Sequence, residues 1–118
     1  MLSIVVPCFN EEASLPIFFE ETEKVKKHLN MPFEYIFVND GSSDQTLSVL
    51  RDLYRTHPES VRYLSFSRNF GKEAALYAGL QAARGDFVTV MDADLQDPPS
   101  LLPEMFALLR SCLLYTSD

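Results

Sequence analysis

Short apolar runs alternate along the chain with longer segments in which apolar residues recur at three- and four-residue intervals. The runs occupy residues 2–6, 35–38, 61–66 and 87–91. Runs of this length predict β-strands. The first, second and fourth are almost wholly apolar, which is typical of strands buried on both faces of a parallel sheet. We therefore expect these three strands to have both faces covered.

Each predicted strand is followed by a polar break and then by a segment with helical periodicity. Helices are predicted over residues 14–29, 44–54 and 71–83, and a fourth from Pro98 and Pro99 through residue 109. This alternation predicts an α/β fold with right-handed crossovers, in which helices cover both faces of an open, mostly parallel sheet. The expected sheet is incomplete, truncated after the fourth β-α unit.

The net charge and the cysteine content of the chain argue against some classes of binding partner and site. The 118 residues carry a formal net charge of −7. Because affinity for nucleic acid depends mainly on Lys and Arg, no nucleic-acid partner is expected. Cys8 and Cys112 lie outside any CxxC or Cys/His cluster, so we interpret both as reduced thiols in a cytoplasmic protein. No signal peptide or run of about 18 apolar residues is apparent, so this stretch is expected to be soluble.

Residues that could bind a ligand, most of them polar, follow all four predicted strands. In an open α/β sheet, ligands bind outside the carboxyl ends of the strands, so these side chains should meet at one edge. They are Pro7, Phe9, Asn10, Glu11 and Glu12 after the first strand, residues 39–44 after the second, Arg68, Asn69, Gly71 and Lys72 after the third, and Asp92, Ala93, Asp94, Gln96 and Asp97 after the fourth.

Several of these residues also have a simple structural interpretation. Asn10 and the two acids after it suit the start of a helix, because Asn caps helices and acids favour the first turn. Residues 40–44 are equally typical of a turn followed by a cap. Arg68 and Lys72 could be solvated surface charges. Asp97 before Pro98 is most simply a cap with proline at the first helical position.

Asp92 and Asp94 are harder to explain structurally. Two carboxylates at the end of a buried strand repel each other unless a cation lies between them. Oxygen ligands suit Mg²⁺ or Mn²⁺, and Gln96 could add a neutral oxygen. A diphosphate is the natural partner of such a cation, and the start of a helix at Gly71 and Lys72 is a place suited to anions. The chain has neither a P-loop nor a GxGxxG motif after its first strand.

Four motifs together resemble family 2 glycosyltransferases, which have the GT-A fold. Residues 4–12 read IVVPCFNEE, residues 38–44 read VNDGSSD, residues 67–75 read SRNFGKEAA and residues 92–99 read DADLQDPP. The third motif is similar to the polyprenyl-phosphate branch, which includes bactoprenol-phosphate glucosyltransferases and dolichol-phosphate mannose synthases. The resemblance covers residues 2–111, interpreted as one nucleotide-sugar-binding unit (1–111), whereas residues 112–118 do not match and are interpreted as an artefactual tail.

The resemblance implies a role for each matching residue. Pro7, Phe9 and Glu11 are expected to line the nucleoside pocket. Val38 and Asp40 are expected to hold the base, with Asp40 hydrogen-bonded to its edge.

On the phosphate side, the resemblance implies that Asp92, Ala93 and Asp94 contact the ribose and the diphosphate. It also implies that Asp94 and Gln96, with Asp92 nearby, hold Mg²⁺ or Mn²⁺. Lys72, and with it Arg68, is expected to face phosphate.

The implied reaction is the inverting transfer of a hexose from a nucleotide diphosphate sugar, UDP-glucose first and GDP-mannose second, to a polyprenyl phosphate. The catalytic base and acceptor region are expected to be missing from this stretch. The parent enzyme is expected at the cytoplasmic face of the membrane, where a homo-oligomer is an option that stays open. Two alternatives stay open: an inactive nucleotide-binding fragment, and a family 2 transferase with a soluble or polysaccharide acceptor. A nucleotidyltransferase is disfavoured, because it would need a glycine-rich basic loop after the first strand.

Overall fold

The computed structural model describes residues 1–94. Four strands alternate with three helices along this part of the chain: β1 (Leu2–Cys8), α1 (Leu15–Leu29), β2 (Phe33–Asn39), α2 (Thr46–Thr56), β3 (Val61–Ser65), α3 (Lys72–Ala82) and β4 (Phe87–Val90). Several predicted features lie outside the described residues. They are the fourth helix, Gln96, Asp97, Cys112 and the tail at 112–118.

The strands form one parallel sheet in the order β3-β2-β1-β4. β1 pairs with β2 from Leu2 opposite Phe33 to Cys8 opposite Asn39. The predicted α/β architecture is therefore confirmed. Because the chain order reverses at β1, the crevice above β1 and β4 is where a doubly wound sheet offers space for a ligand.

The two faces of the sheet pack against different helices. Ile4, Tyr35 and Phe37 belong to a large apolar cluster that includes residues of α1 and α2. The next residues along the strands point to the opposite face, where Val5, Ile36 and Val38 pack with Ala75 of α3. Helices thus cover both faces, as predicted.

Gly79 explains how closely α3 approaches the sheet. A Cβ atom built at this position would lie 2.3 Å from Cγ1 of Val5. A glycine inside a helix costs conformational free energy, and here the close packing of α3 against β1 requires it.

The predicted burial of the fourth strand is wrong for one of its faces. Val88 and Val90 are 38% and 39% exposed, whereas Thr89 between them is buried. Within residues 1–94, β4 pairs with β1 alone, and α3 packs over β1 and β2. An apolar run therefore identified the strand correctly but did not predict which of its faces the described helices reach.

A buried polar cluster closes the other end of the sheet, where the strands begin. The carboxylate of Glu34 accepts hydrogen bonds from the Ser3 hydroxyl (2.6 Å), the Arg62 guanidinium (2.6 Å) and the Arg84 backbone N–H (2.9 Å). Burial alone would raise the pKa of Glu34, but these hydrogen bonds outweigh it and hold the pKa below its ordinary value of 4.5. Arg62 also donates to the Ala82 carbonyl, which ties the end of α3 to the sheet.

Among the residues that the structure describes, no helix combines the length and the apolar character needed to span a bilayer.

Candidate functional site

A cavity of about 230 Å³ opens at the carboxyl ends of the strands. It is lined by the last two residues of β1, by residues that follow β1, β2 and β4, and by the first residue of α3. They are Pro7, Cys8, Phe9, Glu11, Asp40, Lys72, Asp92, Ala93 and Asp94. The predicted convergence of separate polar loops at one edge of the sheet is confirmed, and eight of these nine residues were expected at a site.

The loop after β1 is fastened to the loop after β2. The Asn10 side chain accepts the Ser43 N–H (2.9 Å), and the Asn10 N–H donates to the Ser42 hydroxyl (2.9 Å). One residue further, the Glu11 N–H donates to the Thr46 hydroxyl (2.9 Å). These bonds tie residues 10 and 11 to the loop after β2 and to Thr46, the first residue of α2.

The helix predicted over residues 14–29 is observed, whereas the alternative interpretation of Asn10 as a helix cap is wrong. Asn10 has a φ of 54°, and α1 begins at Leu15 with Ser14 at its N-cap. Asn tolerates the left-handed conformation better than most residues, so it suits a tight turn in which its side chain reaches the neighbouring loop. Asp44 lies just before Gln45, the N-cap residue of α2, and its carboxylate accepts the N–H of Thr46, the first helical residue, at 2.9 Å.

Asp40 is buried, and its carboxylate accepts hydrogen bonds from the turn that precedes α3. Oδ1 accepts the Phe70 N–H at 2.8 Å, and Oδ2 accepts the Gly71 N–H at 3.1 Å. The Asn69 side-chain amide donates to Oδ2 at 3.2 Å and to the Asp40 carbonyl at 3.1 Å. We call residues 69–71 the docked turn.

Gly41 adds a steric fit to this contact. Its φ is 66°, and a Cβ atom there would lie 2.1 Å from the carbonyl carbon of Arg68 and 2.2 Å from the Asn69 nitrogen. The backbone just before the docked turn therefore packs directly on the glycine, where a side chain would prevent the approach.

Lys72 follows the docked turn and brings a positive charge to the cavity. Its Nζ atom lies 3.1 Å from Oδ1 of Asp92, and the Lys72 and Asp92 side chains are 62% and 29% exposed. This exposed ion pair contributes little to stability. It does show that the Asp92 carboxylate faces a position that a cation can occupy.

The described residues fit a divalent cation in part. Asp92 and Asp94 line the cavity together, but residues 1–94 contain no group of three or more acidic, His or Cys side chains arranged around one point. Mg²⁺ commonly takes one or two carboxylates and completes its coordination with water and substrate phosphates. The two aspartates suit that kind of site better than an all-protein cage.

Phe9 and Cys8 are two of the apolar residues that line the cavity. Phe9 is 49% exposed, so its ring offers a flat surface to a ligand. Cys8 is buried, and burial, together with the nearby charge of Glu11, raises the pKa of its thiol far above the ordinary value of 9.0. The place of Cys8 in the cavity was not predicted, and the only signal for it was its position between Pro7 and Phe9.

Two expected residues are not brought to the cavity by their side chains. Val38 is fully buried on the α3 side of the sheet, so a contact with a base there would use its backbone. The Arg68 guanidinium lies 4.6 Å from the centre of the Phe70 ring and is not among the lining residues. The roles expected of both residues stay predictions.

The comparison with known proteins agrees with this geometry. The model of the family described as "Glycosyl transferase family 2" matches residues 3–112. The Escherichia coli (strain K12) protein named "Prophage bactoprenol glucosyl transferase homolog" is 45% identical over 104 residues, which is 88% of this chain and 34% of that protein. The chain thus spans about a third of the length of such a relative.

Solved structures show the same fold. A mannosyltransferase from Pyrobaculum calidifontis, in complex with GDP-Man and Mn²⁺, has a TM-score of 0.64 and 28% identity, covering 79% of this chain and 27% of that one. TarS of S. aureus in complex with UDP-GlcNAc has a TM-score of 0.66 and 27% identity, covering 93% of this chain and 31% of that one.

Proposed function

Since the chain belongs to glycosyl transferase family 2, we propose that it forms the donor side of a metal-dependent hexosyltransferase. The proposed reaction moves a hexose from a nucleotide diphosphate sugar to a polyprenyl phosphate, with inversion at the anomeric carbon. The bactoprenol-linked name of the Escherichia coli relative supports the acceptor class. UDP-glucose is the first candidate donor and GDP-mannose the second.

One observation carries the proposal: Asp92 and Asp94 share a cavity with an exposed aromatic ring and a lysine. Phe9 supplies a surface for a base, while Pro7 and Glu11 border the same loop. Lys72 at the start of α3 is placed for the diphosphate, which the aspartates alone would repel. A site for a nucleoside at one end and a charged diphosphate at the other needs these parts together.

The aspartates would hold Mg²⁺ or Mn²⁺, with Gln96 as a further ligand implied by its motif. A structural neighbour bound to Mn²⁺ supports this class of cation. The chemistry that such a cation supplies is neutralisation of the charge on the leaving diphosphate.

The proposed acceptor lessens the need for a catalytic base in the protein. A phosphate monoester has a second pKa of about 6, so its oxygen is already anionic at neutral pH. That oxygen attacks the anomeric carbon as the bond from this carbon to the diphosphate breaks, and the nucleoside diphosphate leaves. The chain's own contribution is then to orient the donor and to stabilise the leaving group, rather than to remove a proton.

Membrane location follows from the acceptor in this proposal. A polyprenyl phosphate is embedded in a bilayer, so the full gene product would act at the cytoplasmic face of a membrane. A homo-oligomer is compatible with this arrangement.

Nucleotide binding tests the proposal. We expect Mn²⁺ to tighten the binding of UDP or GDP to the full gene product by at least about tenfold, and Asp94→Ala to abolish that gain, because it removes a carboxylate ligand. Calorimetric titration with and without Mn²⁺ measures both effects. Asp52→Asn, a change on the exposed surface of α2, is the matched control and should behave like the unaltered protein.

A transfer assay separates the remaining alternatives. Metal-dependent nucleotide binding without transfer from UDP-glucose or GDP-mannose to polyprenyl phosphate would favour a binding fragment or a different acceptor. If Mn²⁺ leaves nucleotide affinity unchanged and Asp94→Ala has no effect, the metal-diphosphate proposal is wrong.

A further inference from the structure

We infer, on the basis of the proposed function, that Asn10 is a positioning residue for the nucleoside of the donor. Asn10 does not line the cavity, but it fastens the loop after β1 to the loop after β2. In doing so it sets the ring of Phe9 in relation to Asp40, and both of these residues line the cavity. The backbone conformation of Asn10 and its hydrogen bonds to the second loop support this role.

The backbone of Asn10 has a conformation that few residues adopt. Asn10 and Asn30, with φ of 54° and 49°, are the non-glycine residues of positive φ in the part of the chain that the structure describes. Asn30 is the C-cap of α1, where its N–H donates to the Lys26 carbonyl, and this is a common way to end a helix. Asn10 follows β1 and ends no helix, so its conformation needs another source of support.

The loop after β2 supplies that support. The side-chain oxygen of Asn10 accepts the Ser43 N–H at 2.9 Å and the Ser43 hydroxyl at 3.3 Å. The Asn10 N–H donates to the Ser42 hydroxyl at 2.9 Å, and the N–H groups of residues 11 and 12 donate to side chains between residues 44 and 46. The first loop is therefore held over three consecutive residues, and Asn10 contributes with both its backbone and its side chain.

The same connection reaches the residue before Asp40. The Ser42 hydroxyl accepts the Asn10 N–H, and the Ser42 N–H donates to the Asn39 side chain at 3.2 Å. Phe9 directly precedes Asn10, and Asp40 directly follows Asn39. Phe9 is half exposed, so the direction of its ring depends mainly on the backbone that carries it. Release of Asn10 would free the ring relative to Asp40 and leave the aspartates after β4 in place.

Asn10→Gly tests the inference, because glycine keeps the positive φ at no steric cost and removes the side-chain contacts. We expect it to weaken the binding of UDP with Mn²⁺ to the full gene product by about fivefold, since the ring beside the nucleoside is no longer fixed. The affinity for pyrophosphate with Mn²⁺, a ligand without a nucleoside, should stay within about twofold of that of the unaltered protein. Calorimetric titration measures both affinities.

A double-mutant cycle shows whether Asn10 acts through Phe9. In a Phe9→Ala background, Asn10→Gly should change UDP affinity by less than about twofold, because the ring that Asn10 positions is already absent. Ser42→Ala, which removes the hydroxyl that accepts the Asn10 N–H, provides the same test if Asn10→Gly does not fold.

Asn30→Gly is the matched control. It makes the same substitution at a similar positive φ, but at the end of α1, near the edge of the sheet where the strands begin. This variant should leave UDP affinity within about twofold.

A measurement without nucleotide separates this inference from the proposed function. The N–H groups of residues 11 and 12 donate to Thr46 and Asp44 rather than to Asn10, so their hydrogen exchange reports whether the two loops stay together. In Asn10→Gly these amides should exchange at least about tenfold faster, and in Asn30→Gly their rates should be unchanged. Unchanged rates in Asn10→Gly would overturn the inference whether or not UDP binds.

Two patterns of binding would also contradict it. If Asn10→Gly weakens pyrophosphate as much as UDP, Asn10 does not act on the nucleoside, and if the loss persists in the Phe9→Ala background, Asn10 does not act through the ring. If the unaltered protein does not bind UDP or GDP with Mn²⁺, the proposed function fails, and the exchange rates of residues 11 and 12 still decide whether Asn10 holds the loops together.

Discussion

Glu34 illustrates how a charged residue can be buried in this fold without being part of the site. Its side chain is 8% exposed and that of its ion-pair partner Arg62 is 31% exposed. Burying a charge is costly unless hydrogen bonds replace its water, and here Ser3 and the Arg84 N–H supply them. Since Arg62 also binds the Ala82 carbonyl, this one cluster joins β1, β2, β3 and the end of α3.

Replacement of Glu34 by Gln is expected to lower the free energy of unfolding by about 2 kcal/mol, because it leaves a half-buried guanidinium without its counter-charge. The value is reduced from that of a fully buried pair, since solvent reaches Arg62. Asp52→Asn removes the exposed ion pair with Arg55 on α2 and should cost less than about 0.5 kcal/mol. Urea denaturation of both variants measures the difference, and equal losses would contradict this account.

At the scale of single residues, the sequence predicted which side chains lie together better than it predicted what they contact. Asp92, Asp94 and Lys72 were expected at one site, and all three line the cavity. Asn10 also suited a helix cap, yet its side chain binds Ser43 on the next loop. Local spacing limits what an Asn can do within its own segment, but it contains no information about a loop more than thirty residues away.

The loops that follow the strands are held by their backbones as much as by their side chains. Gly41 and Gly71 both have positive φ, which other residues adopt at a cost of roughly 1–3 kcal/mol. They differ in surroundings, because a Cβ atom at Gly41 would meet backbone at 2.1 Å whereas one at Gly71 would meet nothing within 4 Å.

This difference predicts unequal effects of two alanine substitutions. Gly71→Ala should cost only the conformational strain, about 1–3 kcal/mol of stability, because a φ of 105° with a ψ of 157° is a conformation essentially restricted to glycine. Gly41→Ala should cost more, since the backbone at 68 and 69 must also move, and it should weaken nucleotide binding by displacing the turn that precedes Lys72. Thermal unfolding and calorimetric titration of both variants test this, and a Gly71→Ala variant with the larger loss in both measurements would contradict it.

Helices and strands were predictable from the periodicity of apolar residues, while the residues at which the strands begin and end depended on pairing with neighbouring strands. The first strand was predicted to end at residue 6, before Pro7, but β1 continues to Cys8 because Pro7 and Cys8 lie in register with Val38 and Asn39. The exposed face of β4 was missed for a related reason. An apolar run shows that a strand can be buried, whereas the helix that covers each face is set by the crossovers of the whole sheet.

For the molecule as a whole, stability should fall in alkaline solution. Burial raises the pKa of Cys8 above 9.0 and that of Tyr35 above 10.0, and the carboxylate that accepts the Tyr35 hydrogen bond, Glu23, raises the latter further. The folded chain therefore keeps protons that the unfolded chain releases, so the free energy of unfolding decreases as pH rises above about 9.

Urea denaturation between pH 7 and 11 measures this decrease. Tyr35→Phe should flatten the curve above about pH 10, and Cys8→Ala should flatten it from about pH 9, because each removes one titrating group. The expectation fails if both variants retain the full alkaline slope of the unaltered chain.

The lining of the cavity has a consequence for the kinetics of binding. Four of its residues are acids and one is a lysine, and the chain around them carries a net charge of −7. A free nucleoside diphosphate would approach against this field, so dissolved salt should speed its association by shortening the reach of the repulsion, to about 8 Å at physiological ionic strength. Proteins that capture phosphate with arginine-rich surfaces show the reverse dependence.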